Sequence, residues 1–177
     1  MLKLSCVTAV IFILLSCSGR NRLNDVRKYM VPFAEANNLT IPLDSLGAPY
    51  YTPNSGVAVP EKFRVVNFIN TDCGNCFARM EEWAAFLRDN EIEASIVFVA
   101  SGSLNDYFTG FVASKKDLPF YIYRDSSNYI LNSRGLHQYE KESFLIDQSK
   151  KILLVGNPVT NPVLFGYFKT VIDEGYY

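Results

Sequence analysis

Residues 63–69 (FRVVNFI) are dense in β-branched and aromatic side chains and lead through Asn70-Thr71-Asp72 into Cys73-Gly74-Asn75-Cys76. Behind the second cysteine, Phe77, Met80, Trp83/Ala84 and Leu87 recur every three to four residues, the spacing of an amphipathic helix. A buried strand, a C-x-x-C and a helix in direct succession restrict the chain to folds in which a strand end delivers two sulfurs to a helix N-terminus. The rest of the sequence extends this pattern. Residues 94–100 (ASIVFVA) read as a second buried strand, and Ser103 and Asp106 open a helix that carries Leu104, Tyr107/Phe108 and Phe111/Val112 and closes on Lys115 and Lys116. A third strand follows at 118–123 (LPFYIY). A fourth at 143–146 turns through Asp147-Gln148-Ser149-Lys150 into a fifth at 151–155, and a helix over 160–173 ends the series. The order β-α-β-α-β, then β-β-α, predicts an α/β fold: a central mixed β-sheet flanked by helices on both faces.

A length of 177 residues with 49% hydrophobic side chains suits one compact domain. Lys plus Arg at 17 against Asp plus Glu at 18 leaves no field for gripping a phosphate backbone, which excludes nucleic acid as a partner. Between residues 38 and 60, Pro42, Pro49, Pro53 and Pro60 with Gly47 and Gly56 predict turns and short edge strands. Leu23, Val26, Tyr29/Met30 and Phe33 predict a short helix over 22–37, kinked by Pro32.

The N-terminus has a separate logic. Lys3 precedes an apolar run over 7–15, too short to span a bilayer core that needs about 20 residues, and this is the pattern of a secretory signal peptide. Leu14-Leu15-Ser16-Cys17 resembles the bacterial lipobox, which makes Cys17 the lipidated residue and the membrane anchor. Ser18-Gly19-Arg20-Asn21-Arg22 carries no acid, which favours a cell-envelope lipoprotein facing the periplasm. The expected division is a signal peptide at 1–16, a lipid-anchored tether and N-terminal extension at 17–60, and the folded domain at 61–177.

Of the four cysteines, Cys6 lies in the leader and Cys17 carries lipid, so Cys73 and Cys76 are the pair left for chemistry. An all-thiolate zinc site within one chain is excluded by that count, and His137 is the sole histidine. His137 reads as a solvated loop residue and Trp83 as a core residue.

With these residues in view, the chain resembles the thioredoxin-like, redoxin-type, membrane-anchored bacterial lipoproteins. The stretch 66–73 (VNFINTDC) is similar to the strand and active-site entry of that family. Leu118-Pro119-Phe120 followed by Asp125, and Phe144-Leu145-Ile146-Asp147 ahead of a Lys-Ile-Leu strand, are similar to its later motifs; the resemblance covers about residues 60–175. It implies a thioredoxin-like fold and thiol-disulfide exchange without a diffusible cofactor, Cys73 attacking and Cys76 resolving the mixed disulfide. The helix N-terminus favours a thiolate over a thiol, and Gly74 keeps the approach to Cys73 open. Asn75 completes the pair's loop, and Asn67 stands where cytoplasmic thioredoxins carry a buried acid, needing a partner if buried, with neighbouring backbone as one option.

Three positions depart from the family pattern. Asp72 replaces a tryptophan, which places a carboxylate against thiolate formation and removes an apolar platform. Glu81 replaces a kinking proline. Lys141 stands where the family has a cis-proline, with no proline anywhere between Pro119 and Pro158. An ordinary trans peptide is therefore expected at Glu140–Lys141. Two classes of function fit: an oxidoreductase acting on exported protein thiols and disulfides or taking electrons from a membrane reductant, and a binding lipoprotein in which Cys73 and Cys76 form a structural or vestigial disulfide. A copper carrier using both sulfurs and His137 is a third and weaker reading.

Overall fold

The structure, a computed structural model, describes residues 39–53, 62–115, 117–137 and 143–174. The expected leader at 1–16, the lipid attachment at Cys17, the helix over 22–37, Pro60 and the Glu140–Lys141 peptide lie outside these residues. Among the described residues no helix is long and apolar enough to cross a membrane.

Three parallel strands, β1 (Phe63–Asn70), β2 (Ser95–Ser101) and β3 (Tyr121–Arg124), continue into two antiparallel ones, β4 (Ser143–Asp147) and β5 (Ile152–Val155), in the order β3-β2-β1-β4-β5. The helices are α1 (Asn75–Asp89), α2 (Asp106–Ser114), α3 (Tyr129–Arg134) and α4 (Pro162–Glu174), and a 3-10 turn covers Leu43–Leu46. Because β1, β2 and β3 step outward in one direction, right-handed crossovers place α1 and α2 on the same face. The connection from β3 back to β4 carries α3 over the other. This is the thioredoxin-like arrangement, a mixed sheet covered on both sides.

Strand alternation sorts the core. On one face Val65 and Ile69 of β1 and Phe98 of β2 meet Phe77, Met80 and Trp83 of α1, with Phe108 of α2 and Phe168 and Val171 of α4 in the same cluster. On the other, Val66, Phe68, Val97 and Val99 meet Ile41, Leu43 and the Ile130–Leu131 pair of α3. The two-sided burial explains why these strands read as continuous apolar runs rather than as alternating ones. Trp83 is buried, as its helical spacing predicts, and His137 is exposed, its ring nitrogen bonded to the Asn132 side chain.

Four details differ from the sequence reading. The third strand begins at Tyr121, where pairing with Val97 starts, because Pro119 has no N–H to give and the Leu118 N–H is held by the Tyr51 hydroxyl at 3.1 Å. Helix α2 is capped by Asn105, whose Oδ1 accepts the Phe108 N–H at 2.8 Å, while Ser103 is engaged elsewhere. Helix α3 has no counterpart in the apolar pattern. Its start is fixed by the buried Asp125 carboxylate, which accepts the Tyr129 N–H at 2.8 Å and the Ile130 N–H at 2.9 Å. In the 38–60 region, where edge strands are expected, the described part has the 3-10 turn and two single bridges, Thr40 to Lys151 and Tyr51 to Ile122.

Candidate active site

The cysteine pair sits at the C-terminal ends of the parallel strands, where β1 gives way to α1. Cys73 precedes the helix, Gly74 is its N-cap, and Cys76 lies in the first turn. Cys73 is exposed and Cys76 half-buried. The Cys73 N–H donates to the Asn70 carbonyl at 3.1 Å, and the Cys76 N–H to the Cys73 carbonyl at 3.1 Å, so the two sulfurs are carried on one tight turn. The N-cap glycine makes no side-chain cap bond, and the sulfurs stand beside the N-terminus of the helix. Gly74 has helical dihedrals, and a Cβ there would meet nothing within 4 Å. The approach is open, as expected, yet a small side chain would fit as well. Asn75, the first helical residue, is exposed.

The loop that presents Cys73 is fastened to the loop after β2. Thr71, which is buried, donates its backbone N–H to the Ser101 carbonyl at 2.8 Å and its hydroxyl to the Ser101 and Ser103 carbonyls at 2.8 and 2.6 Å. Asn70 accepts the Asp72 N–H at 2.9 Å in a local side-chain turn. Asp72 receives the Ser103 hydroxyl at 2.5 Å and the Asn105 amide at 3.5 Å. Its carboxylate is therefore a fastener between the two loops. The sequence signal for this role was the hydroxyl and amide content of Thr71, Ser101, Ser103 and Asn105, which periodicity analysis does not weigh.

Apolar surface near the pair comes from α2. Phe77, next to Cys76, packs edge-on against Tyr107 with centroids 4.9 Å apart, and Tyr107 is 68% exposed. That ring offers contact area of the kind position 72 lacks.

Beneath the pair lies a polar cluster on the α1 face of the sheet. Asn67 of β1 is fully buried and pairs in register with Ser143 of β4. Its Oδ1 accepts the Ser143 hydroxyl at 2.6 Å and an Arg79 N–H at 3.3 Å, so its partners are side chains and not the neighbouring backbone. Arg79, on α1, also reaches the Phe68 carbonyl at 3.4 Å and the Ser143 Oγ at 3.5 Å. Sequence reasoning missed Arg79 and Ser143. Both are ordinary surface-type residues until the helix is docked on the sheet.

Burial pushes the Cys76 thiol upward; a backbone hydrogen bond with Asn70 opposes this, the Cys73 thiol beside it reinforces it, and the Arg79 charge opposes it. The outer sulfur is thus exposed, and the inner one is half-buried with its thiol pushed upward. Glu81 is exposed on α1 and paired with Lys115 at 2.9 Å, so the helix runs through that position with a solvated ion pair. Among the described residues no group of three or more His, Cys, Asp or Glu side chains is gathered to hold a metal.

No protein-family model matches the chain, and no curated protein matches its sequence. Several solved structures are similar to it, some of them described as thioredoxins or thioredoxin-like proteins. StoA from Bacillus subtilis is 17% identical, over 61% of this chain and 82% of that one, with a TM-score of 0.46. The exposed lipoprotein thioredoxin Etrx1 from Streptococcus pneumoniae is 14% identical, over 63% and 86%, with a TM-score of 0.47. A thioredoxin-like protein from Porphyromonas gingivalis is 16% identical, over 66% and 80%, with a TM-score of 0.48.

Proposed function

We propose that the chain is a thiol-disulfide oxidoreductase, anchored through lipid on Cys17 to a membrane of the cell envelope and facing the periplasm. The observation that carries this reading is the graded exposure of two sulfurs on one helix turn, Cys73 outside and Cys76 inside. As a reductant, the Cys73 thiolate attacks a partner disulfide, forms a mixed disulfide and expels one partner thiolate. Cys76 gives up its proton and attacks Cys73; the intramolecular disulfide forms and the second partner sulfur leaves with the bonding electrons. Two electrons pass to the partner, and a membrane reductant or another exported dithiol restores the pair. Run backwards, the same steps oxidise a partner dithiol.

The test is equilibration of the full-length chain with reduced and oxidised glutathione, read by mass mapping of Cys73 and Cys76. We expect one reversible two-electron transition within the glutathione range, abolished by Cys73→Ser. A pair that stays oxidised under excess reduced glutathione would instead mark a static cross-link, since structural disulfides resist that pool. That outcome would leave the binding-lipoprotein reading in place.

The anchor is tested separately. Full-length protein expressed with its leader should enter the detergent phase on phase separation, and Cys17→Ala should remain largely aqueous. Equal partitioning would remove the lipid from the proposal.

A further inference from the structure

The first turns of α1 and α2 stand side by side. Asn105, the N-cap of α2, gives its amide to the Thr71 carbonyl at 3.3 Å and to Asp72 Oδ1 at 3.5 Å, and Ser103 gives its hydroxyl to the same carboxylate. The turn of α1 that carries the cysteine pair therefore adjoins the turn of α2 that carries Tyr107. A ring contact of 4.9 Å between centroids joins Tyr107 to Phe77, the residue that follows Cys76. Phe77 is buried, whereas Tyr107 is 68% exposed, the most exposed large apolar side chain among the described residues. Three residues on, at the place that flanks the ring along the helix, stands Gly110, where an added Cβ would meet nothing within 4 Å. The charges beside this ring are acidic. Asp72 on the Cys73 loop and Asp106 next to Tyr107 are both exposed, and Lys115, at the far end of α2, is paired with Glu81 at 2.9 Å. An open aromatic face flanked by carboxylates suits a cation with an apolar stem, which is what a lysine or arginine side chain offers.

We propose that Tyr107 is a specificity-determining residue: its ring, with Asp72 and Asp106 beside it, receives a lysine or arginine that neighbours the reacting cysteine of a partner polypeptide. The inference deepens the oxidoreductase reading and rests on it, and it makes exported proteins with basic flanks at their disulfides the preferred substrates. In the step concerned the Cys73 thiolate attacks the partner disulfide and bonds to one of its sulfurs. The partner S–S bond breaks, and the other sulfur leaves with the bonding electron pair and takes a proton from solvent. The cation makes and breaks no bond. It holds the partner segment against the turn that presents Cys73.

The experiment times the mixed disulfide on Cys73 by intact mass in reduced full-length Cys76→Ser protein, which traps the adduct. The probes are two short synthetic peptides, each a symmetric disulfide, identical except for an arginine or a glutamine after the cysteine. The arginine peptide should react faster. Its advantage over the glutamine peptide should fall about two- to fivefold on adding Tyr107→Leu, which keeps an apolar side chain against Phe77 but has no aromatic face. Tyr107→Phe keeps the face and should keep the advantage. Comparing the ratio between variants cancels the intrinsic reactivity of each peptide. Asp106→Asn should lower the ratio, as should added salt in the parent. An unchanged ratio in Tyr107→Leu overturns the proposal, as does a ratio lost equally in Tyr107→Phe or one indifferent to both Asp106→Asn and salt. Should Tyr107→Leu fail to fold, Asp106→Asn and the salt series decide by the same criterion. Adduct formation needs attack by Cys73 and not closure by Cys76. A wild-type pair that stays oxidised in glutathione therefore defeats the oxidoreductase reading, while the ratio still decides whether Tyr107 selects the flank.

Discussion

Gly102→Ala is expected to destabilise the reduced protein strongly and to slow reaction at Cys73, whereas Gly74→Ala should do neither. Gly102 has a φ of +88°, where an L side chain is strained by about 1–3 kcal/mol. The space around it is also closed. An added Cβ would lie 2.7 Å from Asp72 Oδ2 and 2.9 Å from both Asn70 Oδ1 and Thr71 Oγ1. Asp72 and Thr71 fasten the Cys73 loop to the loop after β2, Asn70 Oδ1 holds the Asp72 N–H, and Thr71 is already committed to the Ser101 and Ser103 carbonyls. Relief of the clash must displace residues 70–72, and Cys73 is held by the Asn70 carbonyl. Gly74 is the opposite case, with helical dihedrals and nothing within 4 Å of an added Cβ. Urea unfolding of both variants and Cys73 alkylation rates measure the difference. Equal stabilities for the two variants would show that the contact between the loops does not hold the site.

Legibility in the sequence followed burial. Strands buried on two faces, such as β1 and β2, were plain in 63–69 and 94–100, and α1 followed from the spacing of Phe77, Met80 and Trp83, because core packing writes itself as periodicity. The elements that periodicity did not give are held by polar caps. Helix α3 depends on Asp125 and contributes two buried apolar residues, too few to make a stripe. The pair itself was evident from cysteine count and spacing. Its surroundings were not. Asn67 stands out in the sequence because it occupies the place of a buried acid in the resembling family, but its partners lie 12 and 76 positions away, at Arg79 and Ser143. Only the docking of α1 over β1 and β4 brings them together. Asp72 was read through its charge, whereas its hydrogen bonds to Ser103 and Asn105 depend on a neighbouring crossover loop.

Cys76→Ser is expected to turn a transient species into the dominant product. Cys73 is exposed and can still attack an external disulfide, so oxidised glutathione should add to it readily. A serine hydroxyl cannot expel the glutathione sulfur, and the mixed disulfide on Cys73 should accumulate towards one per chain. Wild-type protein should hold only a small fraction, because Cys76 is one turn away. Cys73→Ser should form little adduct at Cys76, whose thiol is half-buried and pushed upward chiefly by that burial. The same shift sets two pH dependences. Resolution by Cys76 in wild type should accelerate as pH rises towards the raised thiol value, since only the thiolate attacks. Stability of the reduced protein should move the other way. The folded state holds the Cys76 proton more tightly than the unfolded chain, so the contribution is full below the ordinary thiol value and is lost as pH rises through the raised one. Cys76→Ser should lack that alkaline loss. Intact-mass measurement of the adduct and urea unfolding across neutral to alkaline pH test both parts. Full glutathionylation of wild type, with no closure to the internal disulfide, would mean that Cys76 does not resolve and that the pair is not an exchange site.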